Sequence, residues 1–140
     1  MDASPIMRMT LLLGRILLAA IFLRAGFHKI FALPATAATI AAHGLPASPL
    51  LALGATVMEL GGGILLVIGW QARWAALALF FYTLMLAVVF HPFWAVPAAQ
   101  AGMQASFFFG HLSMMGGMLF VFTFGPGPAS LDNIRRGVTA

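Results

Sequence analysis

Several ionisable residues stand inside or at the edge of long apolar runs. Arg15, Arg24, His28 and Lys29 lie in the first run, Glu59 in the second, His91 at the end of the third and His111 in the fourth. A charge at membrane depth is costly, rarely faces lipid and marks an ion pair, a ligand contact or a proton relay. Carboxylate, ammonium, guanidinium and imidazole groups in apolar surroundings can hydrogen-bond the polar head of an apolar molecule and exchange protons with it. A metal is not expected: none of the four His residues lies four positions from another, and none belongs to a zinc-ligand motif. The absence of Cys excludes thiol catalysis, a disulfide relay, Fe–S ligation and Cys-based zinc sites. With no recognisable redox cofactor motif, no catalytic residue is assigned, and catalysis by this chain alone is not expected.

The elements that must position these groups follow from composition. Of 140 residues, 62% are hydrophobic and 7% charged, with a mean hydropathy of +1.03. A soluble domain of this size has too little core to hide so much apolar surface. Four stretches, 6–31, 50–69, 73–90 and 104–124, approach the roughly 20 residues that cross about 30 Å of hydrocarbon. The chain therefore reads as one all-α transmembrane domain over 1–140, an antiparallel four-helix bundle in contact with membrane lipid. The net charge of +4 comes from bases scattered at helix ends without a basic stripe, so no nucleic-acid partner is expected. Arg8 before an apolar run and Ala35-Thr36-Ala37 resemble a signal peptide and its cleavage site. The run is too long and too charged for that, and an uncleaved first span is expected.

Short loops carry the orientation signal. One side holds Arg8, Arg73, Arg135 and Arg136, and the other holds Lys29 alone. Both termini should be cytoplasmic. Ala35–Ala42 suits a short interfacial helix after Pro34, ended by Gly44 in a left-handed cap. Trp70, Arg73 and Trp74 read as interfacial anchors, and Gly125-Pro126-Gly127-Pro128 stops the last span before a short polar tail. Ala55, Glu59, Gly62 and Gly63 share a side of the second span, and Ser113 and Gly117 form a small-residue pair on the fourth, as close helix packing requires.

Counting rise along each span puts Arg24, Glu59 and His111 roughly 10–13 Å below the outer surface, on three helices. Arg24 is the favoured partner of Glu59 by depth. Lys29 is the alternative: it lies higher and about 140° around the helix from Arg24, with a long stem that reaches downward or snorkels. The pair either fixes helix register or forms a ligand or proton site. His28 stands one turn above Arg24. Met114, Met115, Met118, Phe107 and Phe108 near His111 suit either ordinary packing or a quinone-sized apolar pocket. His91 is peripheral, an interfacial residue before Pro92, and His43 belongs to a loop.

Six landmarks in order carry a resemblance. They are Gly26-Phe27-His28-Lys29-Ile30-Phe31, His43-Gly44-Leu45-Pro46, Glu59-Leu60-Gly61-Gly62-Gly63, Gly69 with Arg73, His111-Leu112-Ser113-Met114-Met115-Gly116-Gly117, and Gly125-Pro126-Gly127 with Ser130-Leu131-Asp132. The chain resembles the DoxX family of small four-helix inner-membrane proteins over nearly its whole length. The resemblance implies a bacterial-type inner membrane, association with quinone-linked oxidoreductases and partner subunits or self-association. Arg24 stands where the family pattern has an apolar or small residue, and His111 where Lys-Asn is common, so a role tied to that Lys does not transfer.

The leading expectation is thus a DoxX-like membrane subunit linked to quinone redox chemistry, with quinone as its one candidate cofactor. Arg24, His28, Lys29, Glu59 and His111 are its candidate ligand-binding residues. The alternatives are a non-catalytic anchor or assembly scaffold for a partner enzyme, and a small proton or solute pathway.

Overall fold

Ser4 begins the first helix: its hydroxyl accepts from the Met7 amide at 3.2 Å, and Pro5 takes the first helical position, where no amide hydrogen is needed. The computed structural model describes residues 4–138, with side chains through Arg135, so the side chain of Arg136 lies outside the described residues. The elements are α1 (Pro5–Phe31), α2 (Leu33–Ala42), α3 (Ser48–Ile68), α4 (Ala72–Phe90), α5 (Ala98–Phe124) and α6 (Leu131–Val138). All regular structure among the described residues is helical, and α1, α3, α4 and α5 are long and apolar enough to cross a membrane.

Packing follows stripes of period three and four. The buried residues of α1 are Arg15, Ala19, Phe22 and Gly26. Those of α3 include Ala52, Thr56, Glu59, Gly63 and Leu66. Both stripes keep a helix seam on one line. α3 lies between α1 and α4, α5 packs along α4, and α2 lies against α3. Gly26, Gly62 and Gly63 bring the backbones together: a Cβ on Gly26 would stand 2.7 Å from Leu60 Cγ and 3.1 Å from Glu59 Cβ. Ala19, Phe22, Leu66, Ala76, Leu79 and Met118 form the apolar centre. At most 33% of the most apolar window of any spanning helix is buried, so most of that apolar surface faces outward, as lipid contact requires.

Two ends of the bundle are distinct. One holds Ser4, the 69–71 turn and α6. The other holds α2 and the 91–97 loop. The short helix expected after Pro34 is present, and Gly44 follows it at φ +75°. Two expectations are corrected. α5 begins at Ala98, not near 104, because Pro97 caps a start rich in Ala and Gln, good helix formers that extend the helix beyond its apolar segment. The polar tail is helical as α6, whose Asp132 binds the start of α4: its carboxylate accepts from the Gln71 and Ala72 amides at 2.8 and 3.0 Å.

Candidate functional site

The next position on the buried stripe of α1 after Gly26 is Lys29. Its ammonium lies 2.8 Å from Oε1 and 2.7 Å from Oε2 of Glu59 on α3. Tyr82 on α4 donates its hydroxyl to Oε1 at 2.7 Å. Three helices therefore converge on one carboxylate. Glu59 is only 3% exposed, whereas Lys29 is 22% exposed, so the pair opens on its lysine side. An ammonium has three donors and two are spent on Glu59. The third has no acceptor among the described residues, and the Tyr82 oxygen keeps its acceptor capacity.

This corrects the favoured Arg24–Glu59 pair. Arg24 is exposed and takes no part in the hydrogen bonding of Glu59. It lies two residues from both Phe22 and Gly26, which turns it away from the face packed on α3. Lys29 lies on that face and reaches down to the carboxylate. His28 is likewise exposed.

His111 stands at a different level. Its Nδ1–H donates to the Phe107 carbonyl at 2.7 Å, and its ring lies 4.9 Å from that of His91, centroid to centroid. His91 Nδ1–H in turn donates to Gln104 Oε1 at 2.8 Å. Nine residues, roughly 13 Å of helix rise, separate Tyr82 from His91 on α4. Arg24, Glu59 and His111 thus do not share the single level that span arithmetic suggested. The earlier start of α5, at Ala98, is the reason: its first turns overhang the end of α4. Phe93, Trp94 and Phe108 pack together beside the His pair, with ring centroids 5.1–5.6 Å apart. His43 is separate, its ring 4.5 Å from Phe90. Among the described residues no group of three His, Asp or Glu could hold a metal ion.

Tyr82 escaped the sequence reading, and Arg15, noted there as a charge in the first run, was given no role. Tyr82 is the one tyrosine in the chain. A phenol in an apolar helix needs a partner, and that was the available signal. Arg15 opens the same α1 stripe that Lys29 closes. It is 2% exposed and donates through Nη2 to the Ala129 carbonyl, while Nε and Nη1 are buried without a partner. It packs against Gly69 and Ser130, so it ties the 125–130 turn to the body of the bundle.

Comparison with known proteins agrees with this architecture. The DoxX family model matches residues 10–92, from α1 to just beyond α4. The chain is 35% identical over 130 residues to inner membrane protein YphA of Escherichia coli (strain K12), covering 93% of this chain and 91% of the relative. It is 33% identical over 125 residues to inner membrane protein YqjF of the same organism, covering 88% and 89%. No solved structure matches the chain.

Proposed function

The chain belongs to the DoxX family of integral membrane proteins, and from that premise we propose that it is an inner-membrane subunit working beside a quinone-linked redox enzyme. Lys29, Glu59 and Tyr82 are the station that receives the polar head of the quinone. The observation that carries this reading is the partly open ion pair. The free N–H of Lys29 suits a quinone carbonyl, and the apolar surroundings suit the ring and tail. Reduction of a quinone to its quinol takes two electrons and two protons. The partner enzyme supplies the two electrons, since this chain carries no recognisable redox cofactor motif, and the aqueous phase at the open lysine side supplies the two protons. Lys29 donates to the carbonyl and orients it, Glu59 holds the ammonium in place, and Tyr82, whose hydrogen is given to Glu59, steadies that carboxylate and offers its oxygen to the quinol hydroxyl. The His91–His111 pair, nearer the end of the bundle, is a second polar station on the same side.

Two relatives named as inner membrane proteins support the same membrane for this chain. Arg8, Arg73 and Arg135 at one end, against Lys29 at the other, support cytoplasmic termini.

A second reading, a non-catalytic anchor for a partner enzyme, draws on the balance of the pair. One ammonium matches one carboxylate, and both oxygens are satisfied, as a structural lock would require. A continuous polar pathway is disfavoured by the fully buried Leu66, Leu79 and Met118 at the bundle centre. Gentle purification followed by quinone extraction separates the first two readings. The redox reading expects stoichiometric quinone that Glu59→Gln diminishes. The anchor reading expects a co-purifying enzyme and no quinone.

A further inference from the structure

Arg73, like Arg15, keeps a buried donor without a partner at the terminus-bearing end, and unlike Arg15 it lines a cavity. It lies in the first turn of α4, half-buried, with no hydrogen bond or ion pair among the described residues, and its Nε is buried without a partner. It lines a cavity of about 220 Å³ together with Trp70, Trp74, Asp132 and Arg135. A second cavity of about 160 Å³, walled by the Gly125–Pro128 turn, shares the same guanidinium. Asp132 is the acidic residue in the wall, and its two oxygens are engaged by the backbone amides of Gln71 and Ala72. The Arg135 guanidinium sits 5.8 Å over the Trp70 ring, which holds a second positive charge beside the cavity.

We infer that this cavity binds a phosphate-type oxyanion, with Arg73 as its principal ligand and Arg135 as the second cation. A guanidinium with an unused buried donor needs an acceptor, and a planar fork matches phosphate oxygens. The site lies where the spanning helices end, and Trp70 and Trp74 are 41% and 65% exposed beside it. Aromatic rings at that level mark the headgroup region. An anionic phospholipid therefore presents the right group at the right depth, its phosphate in the cavity and its chains along the outer face of α4. A soluble phosphate compound offers the same chemistry without the chains.

The test uses the whole protein in detergent, with native mass spectrometry against phosphatidylglycerol, phosphatidylcholine and inorganic phosphate. Brominated phosphatidylglycerol serves as a quencher of Trp70 and Trp74. Phosphatidylglycerol should be retained in preference to phosphatidylcholine and should quench. Arg73→Gln should lower its retention by about tenfold, as loss of one charge-assisted contact implies, and Arg73→Lys should restore part of it. Should Arg73→Gln fail to fold by circular dichroism, Arg135→Gln, on an exposed side chain, carries the test with the same direction. Binding of inorganic phosphate with the same arginine dependence, and no preference among lipids, supports the oxyanion site and assigns a soluble occupant. Equal retention of both lipids in wild type and variants, with no phosphate binding, overturns the inference.

Discussion

The Lys29 ammonium spans both carboxylate oxygens of Glu59, at 2.8 and 2.7 Å, across the close approach of α1 and α3. The contact depends on Gly26, one turn earlier on the same face, where the α1 backbone meets Leu60.

Breaking the pair on one side should cost more than removing it. Glu59→Ala leaves a half-buried ammonium and should destabilise by about 3 kcal/mol. Adding Lys29→Met should recover part of that loss. Arg24→Leu combined with Glu59→Ala should instead be additive to within about 0.5 kcal/mol, because the two residues share no contact. Unfolding in mixed detergent micelles measures all four variants.

Glycine substitutions separate the close approach from helix propensity. Alanine favours a helix interior over glycine by about 1 kcal/mol. At Gly26 it should nevertheless destabilise, by about 1–3 kcal/mol, because the new Cβ would stand 3.0 Å from the Leu60 backbone nitrogen, which cannot rotate away. Gly61→Ala meets nothing within 4 Å and should be neutral or stabilising. Thermal melts of both variants decide it, and equal shifts would remove the glycine from the account.

The four spans, the short helix after Pro34 and the Gly44 cap were legible because each rests on local chemistry: apolar length, a fixed proline φ and a left-handed glycine. The start of α5 was not, since Ala and Gln carry no apolar signal while still favouring helix. The presence of a buried ion pair was legible from Glu59, but its partner was not. Depth along the chain favoured Arg24, whereas the 15–19–22–26–29 stripe, which decides which face meets α3, selects Lys29. Tyr82 completes the site through a contact between distant segments, and the meeting of His91 with His111 depended on the overhang of α5.

The end opposite the ion pair is held by a latch. Asp132 caps α4 through two amides, and its own amide donates to the Gly69 carbonyl at 2.9 Å. Asp132→Ala should cost about 1 kcal/mol, the usual worth of a helix cap. Gly69→Ala should cost more, since that residue holds φ +69° and a Cβ would run into Arg15 and Ser130. Limited proteolysis after Phe124 should quicken in both variants, and unchanged cleavage would show that the C-terminal segment is not held there.

Topology is accessible because the chain has no native Cys. In intact cells, Cys at Ser4 should resist a membrane-impermeant thiol reagent and Cys at Ala99 should react. The reverse pattern would invert the assigned orientation.

The central claim is that Lys29, Glu59 and Tyr82 hold a quinone head. Photolabelling with an azido-quinone, followed by peptide mass spectrometry, tests it most directly. Adducts should concentrate on α1 around Lys29 and on α4 around Tyr82. Excess short-chain benzoquinone should suppress them, and Glu59→Gln should reduce them in protein that still folds. Adducts spread along the exposed faces of all four spans, indifferent to competitor and to Glu59→Gln, would contradict the claim.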